Sequence, residues 1–69
     1  AKLVKEYKFS DFKEAMDFVN KVAAVAETEG HHPDITINYN IVKIELITHA
    51  VGGLSENDFI LAAKIDEVV

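Results

Sequence analysis

From Lys2 to Phe9 the chain alternates, with Leu3, Tyr7 and Phe9 on one side and Lys2, Glu6 and Lys8 on the other. A period of two predicts a half-buried strand. Lys5 interrupts the apolar row, which predicts an edge strand or a frayed start. Ser10 stands where a helix N-cap belongs, and Asp11 and Glu14 follow in the first turn, where the helix dipole favours negative charge. A helix is expected from Asp11. Along it Phe12, Ala15, Met16, Val19, Val22, Ala23 and Ala26 keep the three-four spacing of one buried stripe. Phe18, Ala24 and Val25 fall outside that stripe. The helix is therefore apolar over more of its circumference than one sheet requires, either as a broad core face or as a surface for another subunit. Gly30 is placed to end it as a left-handed C′ residue.

A second strand is predicted at Ile35 to Tyr39, with Ile35, Ile37 and Tyr39 on one face and Thr36, Asn38 and Asn40 on the other. Its alternation places Tyr39 in the core. Asn40 and Ile41 are expected to make the reversal, although the Asn-Gly pair typical of a two-residue hairpin is absent. A third strand runs from Val42 to His49, with Val42, Ile44 and Leu46 opposite Lys43, Glu45, Ile47 and His49. Ala50 to Leu54 reads as a glycine-containing loop, and Ser55 with Asp58 three residues on reads as a capping box opening a last helix. In that helix Phe59, Ala62 and Ala63 lie on one side and Leu61, Ile65 and Val68 on another. The order β-α-β-β-α predicts an α+β fold, a small antiparallel sheet with both helices on one face, as a single domain over residues 1–69.

Composition narrows the function classes. A chain of 69 residues that is 49% hydrophobic folds, but with little margin, and it has no cysteine to staple it. Self-association is the remaining support, with Phe18 and Val25 as candidate contacts. Absence of cysteine fits a reducing, cytoplasmic setting, and no apolar run is long enough to span a bilayer. A net charge of −5, with seven scattered lysines and no arginine, argues against direct nucleic-acid binding.

The chemistry is concentrated in three histidines. His31 and His32 sit on a polar elbow between helix and strand, and Pro33 biases His32 towards an extended backbone. Adjacent side chains on such a backbone point to different sides, so the pair can serve different parts of one pocket. His49 closes the third strand. Taken alone, these residues leave three readings open. A zinc site is chemically possible, but an adjacent pair converges poorly on one ion. The pair could simply satisfy a helix end. Or the imidazoles could act as acid-base groups, for which an unperturbed pKa of about 6.5 suits them at neutral pH.

The spacing resembles a known signature. Glu27, three residues, His31-His32-Pro33, five residues, Tyr39, nine residues, His49, eight residues and Asp58 is similar to the motif of the pterin-4a-carbinolamine dehydratases. Phe9 to Ala26 and the Gly53-Leu54-Ser55 loop extend the likeness over almost the whole chain. The resemblance implies loss of water from a 4a-hydroxytetrahydropterin to give the quinonoid dihydropterin, a step that recycles tetrahydrobiopterin for aromatic amino acid hydroxylases. It implies no metal or organic cofactor. It assigns proton transfer to His31 and His49 and substrate orientation to His32, with Glu27, Pro33 and Asp58 as further candidates in the substrate site. Glu27, near a helix C-terminus where the dipole disfavours it, is expected to orient a histidine or to be a solvated surface acid. The resemblance also implies a homodimer or homotetramer. A second role of the same fold, as a non-catalytic oligomerisation or transcriptional-cofactor module, stays open. The sequence departs from the family in starting after an N-terminal helix and strand found in many members. It also has Ile35 where an aromatic residue is common and Asn57 where an arginine is common. These changes bear on affinity and substrate more than on reaction type.

Overall fold

The computed structural model describes residues 2–47 and 56–69. The elements are β1 (Lys2–Lys8), α1 (Phe12–Glu29), β2 (Asp34–Asn38), β3 (Ile41–Ile47) and α2 (Glu56–Glu67). The strands form one antiparallel sheet in the order β1-β3-β2. The expected order and class are those found. His49 and the Ala50 to Ser55 stretch, including the expected loop and cap, lie outside the described residues.

Strand β3 is central because it alone has a neighbour on both sides, and its alternation puts Val42, Ile44 and Leu46 on the buried face. Each meets an inward residue of β1: Leu3 opposes Leu46, Lys5 opposes Ile44 and Tyr7 opposes Val42. Both helices cover this face, with Ala15, Phe18 and Val22 from α1 and Leu61, Ala62 and Ile65 from α2 completing the core. Lys5, which broke the apolar row, reaches across to Asp66 on α2, and the Tyr7 hydroxyl donates to the same carboxylate at 2.6 Å. A polar position on the inner face of an edge strand is thereby used as a clamp on the helix.

Three sequence expectations are corrected. The helix cap is Asp11 and not Ser10: the Asp11 carboxylate accepts from the Glu14 amide at 2.8 Å, and Glu14 reaches back to accept from the Ser10 amide and hydroxyl. Ala15, Val22 and Ala26 are buried as expected, with Phe18 beside them and Val19 and Val25 packed against the core, but Phe12 and Ala23 are not part of it. Phe18 is only 3% exposed, whereas Phe12 is 51% exposed and Ala23 lies on the surface. Two stripes of three-four spacing run side by side on this helix, and β1 decides between them. The rings of its Tyr7 and of Phe9 just beyond it lie 4.8 and 5.0 Å from the Phe18 ring, centre to centre, and turn that side inward. Ala15 and Ala26 on the same stripe are small enough to let the helix approach the sheet closely.

The third correction concerns the hairpin. Asn38 pairs with Ile41, so the reversal is the two-residue turn Tyr39-Asn40, not Asn40-Ile41. Such turns require a positive φ at the first central position, and Tyr39 adopts φ 54° with its side chain 63% exposed, not in the core. Asn40 secures the turn from outside the hairpin: its carbonyl accepts from the Phe9 amide and its side-chain amide donates to the Phe9 carbonyl, each at 2.8 Å.

Two predictions follow from the packing. Phe18→Ala should destabilise the fold by about 3–5 kcal/mol, as loss of a buried aromatic does, while Phe12→Ala should stay within about 0.5 kcal/mol. Urea unfolding of the two variants side by side checks this, and equal losses would return Phe12 to the core. The clamp gives a pH dependence. Hydrogen bonds from Lys5 and then Tyr7 hold Asp66 below the ordinary carboxylate range, so its contribution is present above the unfolded value and lost as pH falls. Burial and then Asp66 push the Tyr7 phenol up from 10.0, so its contribution is present below that value and lost in strong base. Asp66→Asn should therefore flatten the fall in urea midpoint between about pH 5 and 3, and Tyr7→Phe the fall above about pH 10.

Candidate active site at the helix-to-strand elbow

The elbow is built by the way α1 ends. Gly30 takes φ 63° and ψ 28°, the left-handed conformation that costs a glycine nothing. Its amide donates to the Glu27 carbonyl at 3.2 Å and the His31 amide to the Ala26 carbonyl at 3.1 Å, the paired bonds of a Schellman cap. The chain then passes through His31, His32 and Pro33, outside any helix or strand, into β2 at Asp34.

The two imidazoles diverge, as expected of this adjacent pair. His31 turns inward, 28% exposed, and its Nε2 lies 2.5 Å from Oδ1 of Asp58 in the first turn of α2. Asp58 has no exposed surface. His32 turns back towards α1, where its Nε2 is 2.9 Å from Oε2 of Glu27, both side chains being largely exposed. Magnitudes separate these pairs. An exposed ion pair contributes about 0–1 kcal/mol and is readily broken, whereas a carboxylate removed from water needs its hydrogen bonds to be there at all. His31 is fixed by its partner, and His32 is free to leave its own.

Of the residues singled out from the sequence, the structure brings together His31 with Asp58 and His32 with Glu27, with Pro33 half-buried between the elbow and β2. Tyr39 stands apart from them on the hairpin turn, and His49 lies outside the described residues. The sequence did not reveal a further tie, between Lys64 of α2 and Glu29, which closes α1 at 2.8 Å and joins the two helices beside the elbow. Its only signal is a basic residue in the last turn of α2. Among the described residues no three His, Cys, Asp or Glu side chains gather as a metal-binding set. No helix of the described residues is long and apolar enough to cross a membrane. A half-buried imidazole, backed on one nitrogen by a buried carboxylate and with no partner on the other among the described residues, has the chemistry to give or take a proton.

The sequence profile described as pterin 4 alpha carbinolamine dehydratase matches residues 1–68. A Rickettsia canadensis protein, whose name assigns it to the same family, is 52% identical over 67 residues, which cover 97% of this chain and 62% of that protein. The chain thus spans about three fifths of that relative's length. The solved structure of a transcriptional coactivator/pterin dehydratase from Brucella melitensis superposes with a TM-score of 0.88 at 34% identity, covering 97% of this chain and 71% of the other. A pterin dehydratase-like protein, described as a RuBisCO assembly factor in the alpha-carboxysome, superposes at 0.84 with 29% identity, covering 97% and 77%. The chain belongs to the pterin 4 alpha carbinolamine dehydratase family.

Proposed function

We propose that this protein removes water from a 4a-hydroxytetrahydropterin to give the quinonoid dihydropterin, returning tetrahydrobiopterin to its redox cycle. The observation that carries the reading is the His31–Asp58 contact, a half-buried imidazole held on one side by a fully buried carboxylate. The reaction needs a proton delivered to the departing 4a hydroxyl and a proton removed from N5, both within reach of imidazole chemistry near neutral pH. His31 and His49 carry the protons in this proposal. His32, on the open side of the elbow and tethered by Glu27, orients the pterin, while Pro33 sets the backbone that separates the two adjacent rings. No metal or organic cofactor takes part. The cytoplasmic setting expected for an acidic, cysteine-free chain belongs to the proposal as well. The mitochondrial label of an Arabidopsis thaliana relative, 54% identical over 68 residues, describes that protein.

The shared fold of the RuBisCO assembly factor supports a second reading, in which the domain works by binding another protein and turns nothing over. Turnover in an assay coupled to an aromatic amino acid hydroxylase separates the two. In that assay His31→Ala and His49→Ala should each lower kcat by roughly 10²–10⁴-fold without unfolding the chain. His32→Ala should raise KM more than it lowers kcat, as loss of uniform binding does. Wild-type rates in both of the first two variants would remove those residues from the chemistry.

Self-association as a homodimer or homotetramer also belongs to the proposal. Among the described residues β1 and β2 each have one unpaired edge, and the apolar flank of α1 carrying Phe12 and Ala23 is exposed. The helix contact expected at Phe18 and Val25 moves to this flank, because Phe18 is committed to the core. Phe12→Lys should then lower the mass seen by light scattering at micromolar concentration while leaving the monomer folded. A wild-type chain that is monomeric there would overturn the assembly.

A further inference from the structure

Among the described residues the imidazole of His31 has a partner on Nε2 and none on Nδ1. Its Nε2 lies 2.5 Å from the Asp58 carboxylate, which has no exposed surface. When that carboxylate is ionised it only accepts, and the proton in the contact then belongs to Nε2. Exchange with a ligand is left to Nδ1. The neighbouring ring lacks this constraint: its partner Glu27 is exposed, and water can replace either member of that pair. The support behind the buried pair is continuous with the core. Asp58 is followed on α2 by Leu61, Ala62 and Ile65, all packed on the sheet, and the helix is tied down further along by Lys64 to Glu29 and by Asp66 to Lys5 and Tyr7. On the other side, the Schellman bond from the His31 amide to Ala26 fixes the backbone that carries the ring.

We propose that Asp58 is a positioning residue, which holds His31 as the Nε2–H tautomer so that Nδ1 is the atom that takes the N5 proton of the substrate. This rests on the dehydratase reading above. In the step, the N5–H bond breaks and its proton forms the Nδ1–H bond. The electron pair left on N5 forms the N5–C4a double bond, and the C4a–O bond breaks with its pair on oxygen. The hydroxyl leaves as water, with a proton from a second, protonated imidazole of the site. The resulting imidazolium of His31 lies against the Asp58 carboxylate, which stabilises the charge as it develops. Asp58 thus acts through His31; a carboxylate with no exposed surface does not touch the pterin itself.

The test is nitrogen-15 NMR of the histidine-labelled full chain at a pH where the imidazoles are neutral, with steady-state kinetics of Asp58→Asn. The wild-type His31 ring should show the Nε2–H tautomer. Asp58→Asn, whose amide can both donate and accept, should populate the other tautomer and lower kcat by roughly 10²-fold or more, with KM within about 2-fold. An Nδ1–H tautomer in the wild type would overturn the proposal, and that measurement needs no variant to fold. So would a variant with a redistributed tautomer and an unchanged kcat. A chain that holds the Nε2–H form but turns over no 4a-hydroxypterin would instead overturn the dehydratase reading, leaving the His31–Asp58 geometry standing.

Discussion

A carboxylate with no access to water, at the start of α2, constrains more of this small fold than any other group. Burying it is unfavourable unless its oxygens are met, and His31 meets one of them from a different element. Helix α2 must therefore sit where the elbow after α1 can reach it. Leu61, Ala62 and Ile65 hold it on β3. Lys64 ties it to the end of α1, and Asp66 ties it to the edge strand. The Gly30 cap turns the backbone so that His31 faces the helix and not solvent. Core and candidate site are one arrangement, because the same helix that completes the hydrophobic layer carries the carboxylate in contact with the His31 imidazole.

What could be read from the sequence was local. The alternation of β1 and β3, the glycine that ends α1 and the divergence of adjacent histidines depend on neighbouring residues and backbone geometry, and they are present as expected. The pairing of His31 with Asp58 was not legible, since it spans 27 positions and a capping box already accounted for an acid at 58. The buried face of α1 was legible in part: Ala15, Val22 and Ala26 are buried as expected and Val19 packs on the core, but Phe18 is buried and Phe12 is not. Two three-four stripes overlap on one helix, and the choice between Phe12 and Phe18 is made by Tyr7 on β1 and Phe9 just after it.

Tyr39 shows local and global preferences in conflict. Alternation along β2 points its ring inward, but a two-residue reversal needs a positive φ at that position, and the hairpin geometry prevails. An aromatic side chain in the left-handed region carries a conformational cost that glycine would avoid. The Asn40 side chain offsets it by binding the backbone of Phe9, which fastens the hairpin tip to the end of β1. The strained turn is thus held by the strand beside it.

The likenesses to a coactivator/pterin dehydratase and to a RuBisCO assembly factor show one architecture under different descriptions. The physical basis for that is visible in how the features are distributed. Among the described residues the His31–Asp58 and His32–Glu27 pairs lie at the elbow, the end of α1 and the first turn of α2, whereas exposed Phe12 near the start of α1 and the outer edges of β1 and β2 lie elsewhere. Changes to Phe12 or to the edge strands can alter what the domain binds without touching His31. Loss of Asp58 or His31 would instead remove a buried polar contact from beneath α2, so stability and chemistry at the elbow are coupled. Conversion to a purely binding role is thus least costly when the His31–Asp58 pair is kept for structural reasons after the reaction is lost. Retention of those two residues is for that reason weaker evidence of turnover than their chemistry alone would suggest, and the exposed His32, which stabilises little, is the more telling position.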